Sequence, residues 1–484
     1  MSRWSTTCGL ILLGACSGTP DDKPADTDQV VQDTDVVAAD TDVADTDDTD
    51  DTDLPIDPCL TRPRPPKVFG HVVVTTDADL IPFHCAETFA SLEISGAVTT
   101  LAELAHTKDI TDALNIHDTT ALTALSGLDG LVEVGGKITL RANAGLTSVA
   151  GLGALHTAGA LVIDLNPELA SLADLHALAK VDGNLYFAGN PRLVSLHGLD
   201  ALTTVGAYLT LDGNGGLMSV SGLDALTSVG EDLRVGPEVS LTSLAALGSL
   251  TTIGGALDIR ENPQLTNLTG LDGVTTVRAL WIKDNPGLTS IAALHALTTV
   301  REDVSFVRDT SLTSLDGLGG VTTLGSTLEL FGNTKLASIA DLNLTSVGDS
   351  LLIQSNPALL SLAGLQALTA VPGSLAVTNN AALTSLTGLD GLQSVGNTLE
   401  IGSNGAMSSL AGLGALTNVG ATGHGPLWIY GNPTLASLSG LSDLVSVYLF
   451  KVEQNVHVCQ TEVDALHLLL SVPCSACAGN DDGC

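Results

Sequence analysis

One recurring register decides what this chain can fold into. The segment ENPQLTNLTGLDGVTTV, residues 261–277, is followed at once by a loose copy, RALWIKDNPGLTSIAALHALTTV. The Leu after the Asn turn, or its Val or Met equivalent, serves as a mark. It falls at Val98, Leu122, Leu146, Leu169, Leu193, Leu217, Leu241, Leu265, Leu288, Leu312, Leu336, Leu359, Leu383, Met407 and Leu435. Of the fourteen steps, ten are 24 residues, three are 23 and one is 28, and a weaker copy runs through Phe450 to Val458. A period of this length, held so often, predicts a solenoid of stacked coils.

Within one coil the apolar spacing changes. Leu257 and Ile259 alternate with Asp258 and Arg260, which is strand periodicity. Asn262-Pro263 marks a turn. Leu265, Leu268, Leu271, Val274 and Val277 then stand three apart, a period of short 3₁₀ or polyproline-type arcs. The predicted coil is a flattened loop with one true strand, short arcs or brief strands, and bends at Gly270 and its equivalents. One coil encloses nothing, but stacked coils lay Leu and Val on their neighbours. At a strand spacing of about 4.8 Å, fifteen coils make a rod roughly 70 Å long. Aromatics are only 3% of the chain, so the core is expected to be aliphatic.

Asn143, Asn166, Asn190, Asn214, Asn262, Asn285, Asn333, Asn356, Asn380, Asn404 and Asn432 share one place in the coil. An amide side chain both donates and accepts, so stacked copies predict a structural ladder that satisfies the corner. Glu238 and Asp309 replace Asn in two coils, and weaker corners are expected there.

LDIRENPQLTNL and LWIYGNPTLASL resemble leucine-rich repeats, whose L-x-L-x-x-N core they share. The next Leu comes one residue later than in the usual N-x-L. That spacing, the period and the Gly-Leu-x-x-Leu-Thr-x-Val second half look more like the receptor L-domain, over roughly residues 68–470. The resemblance implies a right-handed, mostly β, leucine-rich solenoid of about fifteen coils. It says little of function, because such modules bind many partners.

The opening MSRWSTTCGLILLGAC has Arg3, an apolar run and small residues before Cys16, the pattern of a secretion signal. Leu13-Gly14-Ala15-Cys16 resembles the lipobox of bacterial lipoproteins. The resemblance implies cleavage after residue 15, a lipid on Cys16, and a lipid-anchored address in the cell envelope, at the outer membrane and surface-exposed. Residues 16–58 form an Asp- and Thr-rich tether with fifteen Asp and one Lys between 17 and 58. Such a segment is expected to be disordered and extended by self-repulsion. It lacks the Asp-x-Asp-x-Asp-Gly loop with a closing Glu, so no defined calcium site is read there.

The solenoid is expected over 59–458 with an N-terminal cap at 59–90, and a Cys-rich cap over 459–484. Cys59, Cys85, Cys459, Cys474, Cys477 and Cys484 lie outside the regular coils, an exported pattern that reads as disulfide caps. Cys59 is expected to pair with Cys85. Cys459–Cys474 and Cys477–Cys484 is the preferred arrangement at the other end. A zinc or redox role for CSAC is the rival reading. QTEVDALHLLL, residues 460–470, has helical spacing and predicts a short capping helix.

The net charge of −36 argues against a nucleic-acid partner. No G-x-S-x-G elbow, phosphate loop or H-E-x-x-H is present. No cofactor or metal is read, the expectation is not an enzyme, and the chain is taken as a monomer. A carbohydrate-active β-helix enzyme would need clustered acids or bases, and the best local group is Arg234, Asp258, Arg260 and Lys283 on neighbouring strands. The outward strand positions also carry Tyr186, Trp281, Phe331, Trp428 and Tyr430. Aromatics on a rigid sheet suit recognition of an extracellular protein or glycan, against the plainer fact that strands favour aromatics. The insertion ATGHGP before Trp428 adds a loop that frames this face. An envelope spacer with no ligand is the other reading.

Overall fold

A strand, four residues long in most coils, opens each coil, and the alternation of Leu257, Asp258, Ile259 and Arg260 is realised as strand Leu257–Arg260. The structure is a computed structural model. It describes Cys59 and residues 70–481, apart from 422, 423 and 473. The secretion segment, Cys16 and the acidic tether lie outside the described residues.

Equivalent strands pair in parallel, with register shifts at Val134/Lys137 and Phe450/Lys451. Leu233 sits beside Leu257, Leu257 beside Leu280, and Leu280 beside Val304. The ribbon runs from strand His71–Val74 to strand Cys474–Ala476. The result is a mostly β solenoid of about 16 turns with a period near 24 residues. A second ribbon is made of two-residue strands at the Thr-x-Val segments, such as Thr204–Val205 beside Ser228–Val229. In strands Glu133–Arg141 and Thr157–Asp164 the two ribbons run together.

The residues spaced by three turn inward. Leu265, Leu268, Leu271, Val274 and Val277 are wholly buried, as are Leu257 and Ile259. Burying a Leu or Val from water contributes about 1.5–3 kcal/mol each, and stacking repeats that gain in every coil. The core is not purely aliphatic: Phe89, Phe187, Phe306 and Phe450 are fully buried within it. Phe187 and Phe306 stand where Ile259 stands in its own coil, and the coil accommodates the ring without loss of register.

Two corner designs complete the coil. Gly two residues after the inward Leu takes a positive φ in most coils, 108° at Gly270, where a side chain would strike the Leu244 carbonyl of the coil before; Gly440 is the exception and lies in a 3₁₀ turn. The Gly270 N–H is accepted by Asp272, 2.9 Å away, which accounts for the recurrent Gly-Leu-Asp. Where another residue takes that place, as Glu103, Asp174 and Ala246 do, a 3₁₀ turn forms instead: Ala102–Leu104, Ala173–Leu175 and Ala245–Leu247.

At the other corner the asparagines form a column, interrupted between Glu238 and Asn262. The Asn356 side-chain oxygen accepts from the backbone N–H of Asn333 at 3.1 Å and from its amide at 3.3 Å. The Asn356 amide donates to the carbonyl of Leu330 at 2.9 Å and of Gln354 at 3.0 Å, and the backbone N–H passes on to Asn380. Every Asn of the set is buried. The column starts at Thr119, whose hydroxyl donates to Asn143, and extends past Asn432 through Asn455 to Asn480. Asn480 donates onward to Val452 and to the side chain of Gln460. The residue before the Asn is left-handed in coil after coil, at Leu165, Glu261, Arg308 and Ser355 with φ of 56–58°. Outside Gly that conformation costs about 1–2 kcal/mol per residue, offset by the buried hydrogen bonds it aims.

The two substituted corners differ. Glu238 accepts from Asn214 through one oxygen, at 2.8 Å from its amide, while its other oxygen and the Asn262 side-chain oxygen are buried without a hydrogen-bond partner among the described residues. Asp309 accepts from Asn285 through Oδ1, and its buried Oδ2 is likewise unmatched.

Both ends are closed. At the start stand strand His71–Val74 and the 3₁₀ segment Asp77–Phe83, followed by Cys85, which is disulfide-bonded to Cys59, with Phe83 edge-on to Phe89. At the other end the helix Gln460–Leu470 buries Val463, Leu466 and Leu470. Cys459 and Cys477 are both disulfide-bonded. The side chain of Cys474, and Cys484, lie outside the described residues, and so does the pairing read for them. No described helix is long and apolar enough to cross a membrane.

Candidate functional site: the outward face of the ribbon

Strand geometry sends every second side chain outward, and parallel register stacks those side chains into columns. One column reads Val162, Tyr186, Thr210, Arg234, Asp258, Trp281, Ser305 and Glu329. Beside it run Arg260, Lys283, Val307 and Phe331. The residue before each strand's first Leu gives a third column, with Asn184, Tyr208 and Asp232 on successive coils.

Arg234, Asp258, Arg260, Trp281 and Lys283 therefore meet on three neighbouring strands. Asp258 points outward yet is only 1% exposed, because two guanidiniums cover it. Arg234 Nε lies 3.0 Å from its Oδ2, Arg260 Nε lies 2.9 Å from its Oδ1, and Arg260 Nη2 also reaches Oδ2. With both oxygens engaged, Asp258 is the hub of an ion network and not a free acid–base group. Arg278 bonds Asp232 at 3.0 Å and Glu302 at 2.7 Å, which raises its already high pKa, chiefly through Asp232. Its guanidinium carbon lies 6.0 Å from the centre of the Trp281 ring. Among the described residues Lys283 pairs with Glu329, at 3.9 Å.

Tyr186 belongs to this region. It forms a cup of about 270 Å³ with Val162, Asn184, Leu185, Tyr208, Thr210, Asp232 and Arg234. Partial burial raises the Tyr186 pKa, with Asp212 and Asp164 adding to it and Arg141 and Arg234 opposing. Tyr208 and Asp232 escape a reading that counts only residues inside the Leu-x-Ile-x motif, although alternation extended one residue upstream places them outward.

Trp428 and Tyr430 stand elsewhere. Six coils separate Trp281 from Trp428, roughly 30 Å at the spacing of parallel strands. Their rings stack 4.3 Å apart, Trp428 donates to Glu453 at 3.1 Å, Tyr430 donates to Glu400 at 2.8 Å, and Lys451 lies 5.2 Å from the Trp428 ring. Burial first, then Glu400, pushes the Tyr430 pKa well up. The Tyr430 ring lies over Gly402, where any side chain would collide with it. This pair is a knitted surface cluster whose polar atoms are already used. Phe331 stands between the two regions and is exposed. In the insertion, His424 packs edge-on against Tyr448 at 4.9 Å, while 422 and 423 lie outside the described residues.

No family model matches the sequence, and no curated protein matches it. Among solved structures, a chain of the "Crystal structure of TLR13-ssRNA13 complex" is similar at 13% identity, covering 75% of this chain and 74% of that chain, with a TM-score of 0.18. At that score the likeness carries no argument about function.

Proposed function

We propose that this chain is a recognition scaffold: a cell-surface lipoprotein whose leucine-rich solenoid, of the receptor L-domain kind, holds one flat ribbon out to an extracellular protein or glycan. The observation that carries this reading is the cluster from Tyr186 to Lys283, where aromatic rings, guanidiniums and a cup gather on adjacent rigid strands. Aromatic and Arg side chains are the usual energetic anchors of binding surfaces. A spine of buried hydrogen bonds and a continuous core keep that face pre-organised, which lowers the entropy lost on binding. The Trp428–Tyr430 cluster favours the second reading, an envelope spacer, because its rings are engaged with each other and with Glu453 and Glu400.

Glycan and protein arrays probed with the full chain and with a Trp281→Ala, Trp428→Ala double variant separate the two. Loss of signal, traced by the single variants to Trp281, supports recognition at the ribbon centre. A chain that binds nothing on either array supports the spacer.

A further inference from the structure

We infer that the cup between Tyr186 and Tyr208 is a subsite for one neutral, hydroxyl-rich sugar ring of a glycan. The inference deepens the recognition reading and rests on it. The volume, about 270 Å³, suits a single ring and not a folded loop. Its walls combine two phenol rings with polar groups whose capacity is only partly spent. Tyr208 is 45% exposed, on the coil after Tyr186, and Thr210 stands beside Tyr186 in register. Aromatic faces pack on the C–H faces of a sugar while polar groups of the same wall take its hydroxyls.

The charged groups select the ligand class. Arg234 engages Asp258 through Nε, leaving its two terminal nitrogens with donors to spare. Asp232 receives the Ala256 N–H at 2.7 Å and Arg278 at 3.0 Å through the same oxygen, Oδ1, so Oδ2 retains acceptor capacity. Asn184 spends its oxygen on the Tyr208 N–H at 3.4 Å and keeps its amide donors. A sugar hydroxyl both donates and accepts, so neighbouring hydroxyls answer Asp232 and Arg234 together. An anion would meet Asp232, with Asp164 and Asp212 nearby, on a chain of net charge −36. A cation would meet Arg234 and Arg141. A neutral polyol meets neither penalty.

The test is calorimetric titration of the full chain with neutral gluco-, manno- and galacto-oligosaccharides, with uronate-containing oligosaccharides alongside. At least one neutral series is expected to give saturable binding. Tyr208→Ala and Asp232→Asn are each expected to weaken it tenfold or more, Tyr208→Phe to retain most of it, and Leu360→Ala, on an exposed residue of another face, to leave it unchanged. Tyr208 is exposed enough that its loss leaves the core intact, and the melting curve of each variant checks this. Binding of the acidic series alone, or neutral binding indifferent to Tyr208→Ala and Asp232→Asn, overturns the inference. If no sugar binds but an array protein is held through Trp281, the subsite falls and the recognition reading stands. If neither sugar nor protein binds, both fall.

Discussion

Replacing Glu238 and Asp309 by their amides should stabilise the protein at alkaline pH and abolish a pH dependence built into its spine. Each carboxyl takes the place of an amide that donates onward in other coils. Each has one oxygen that accepts from the preceding coil and one that is buried and unmatched. A proton on that second oxygen supplies a donor, and the Asn262 oxygen of the next coil is an acceptor likewise unmatched. Burial pushes Glu238 from an ordinary 4.5 up to about 7, and Asp309 from 3.8 up to about 7. Below pH 4 both the native and unfolded chains hold these protons, and nothing changes. Between there and pH 7 the unfolded chain releases them while the native chain keeps them, so stability falls as pH rises. Above pH 7 both states are ionised and the loss is complete. At about 1.4 kcal/mol per pH unit, the loss is about 3 kcal/mol for Glu238 and about 4 kcal/mol for Asp309. The variants E238Q and D309N carry a permanent donor and should each recover about 2–4 kcal/mol at pH 8, with little gain at pH 4. Urea denaturation across pH 4–8 measures the difference between variant and wild type. That difference removes the general effect of neutralising a highly acidic chain. Hydrogen exchange at the Asn214 and Asn285 amides reads the same change locally. Identical pH profiles for the wild type and the double variant, or variants less stable at pH 8, would refute the reasoning.

Asn356→Ala strands the N–H of Asn333 and two buried carbonyls, and should cost about 2–4 kcal/mol, read as a lowered urea midpoint. Gly270→Ala sets a side chain against the Leu244 carbonyl at a φ of 108° and should destabilise by more than about 1 kcal/mol, whereas Gly153→Ala, which meets only the edge of His176, should be nearly silent in the same melt. Cys16→Ala should move the protein from the membrane pellet to the soluble fraction if the lipobox resemblance holds; unchanged partition would remove the anchor from the proposal.

Much of the architecture was legible because one environment recurs in every coil. The strand at Leu257–Arg260, the arcs spaced by three and the Asn column each repeat often enough to stand out from chance. The capping helix was legible from the spacing of Val463, Leu466 and Leu470. What escaped is what the period does not encode. The left-handed residue before each Asn is Leu, Glu, Arg or Ser as often as Gly, since the buried column holds the backbone whatever the side chain. The column's last members, Asn455 and Asn480, sit where the Leu pattern has already decayed. Thr at 147, 227, 251 and 417 donates its hydroxyl to a carbonyl one coil back, a role composition does not reveal. The candidate site was half legible: outward positions follow from alternation, but the cover over Asp258 and the cup at Tyr208 depend on side chains meeting across coils.

The amide spine also has a direction. The Asn members receive from the coil behind and give to the coil ahead, with one break between Glu238 and Asn262, so the two ends of the column are chemically unlike. Thr119, two coils inside the N-terminal end of the ribbon, and Gln460 of the capping helix end that chain with groups of this polypeptide's own. The C-terminal cap does more than shelter exposed leucines: it takes the last amide donor of the column onto a side chain of its own.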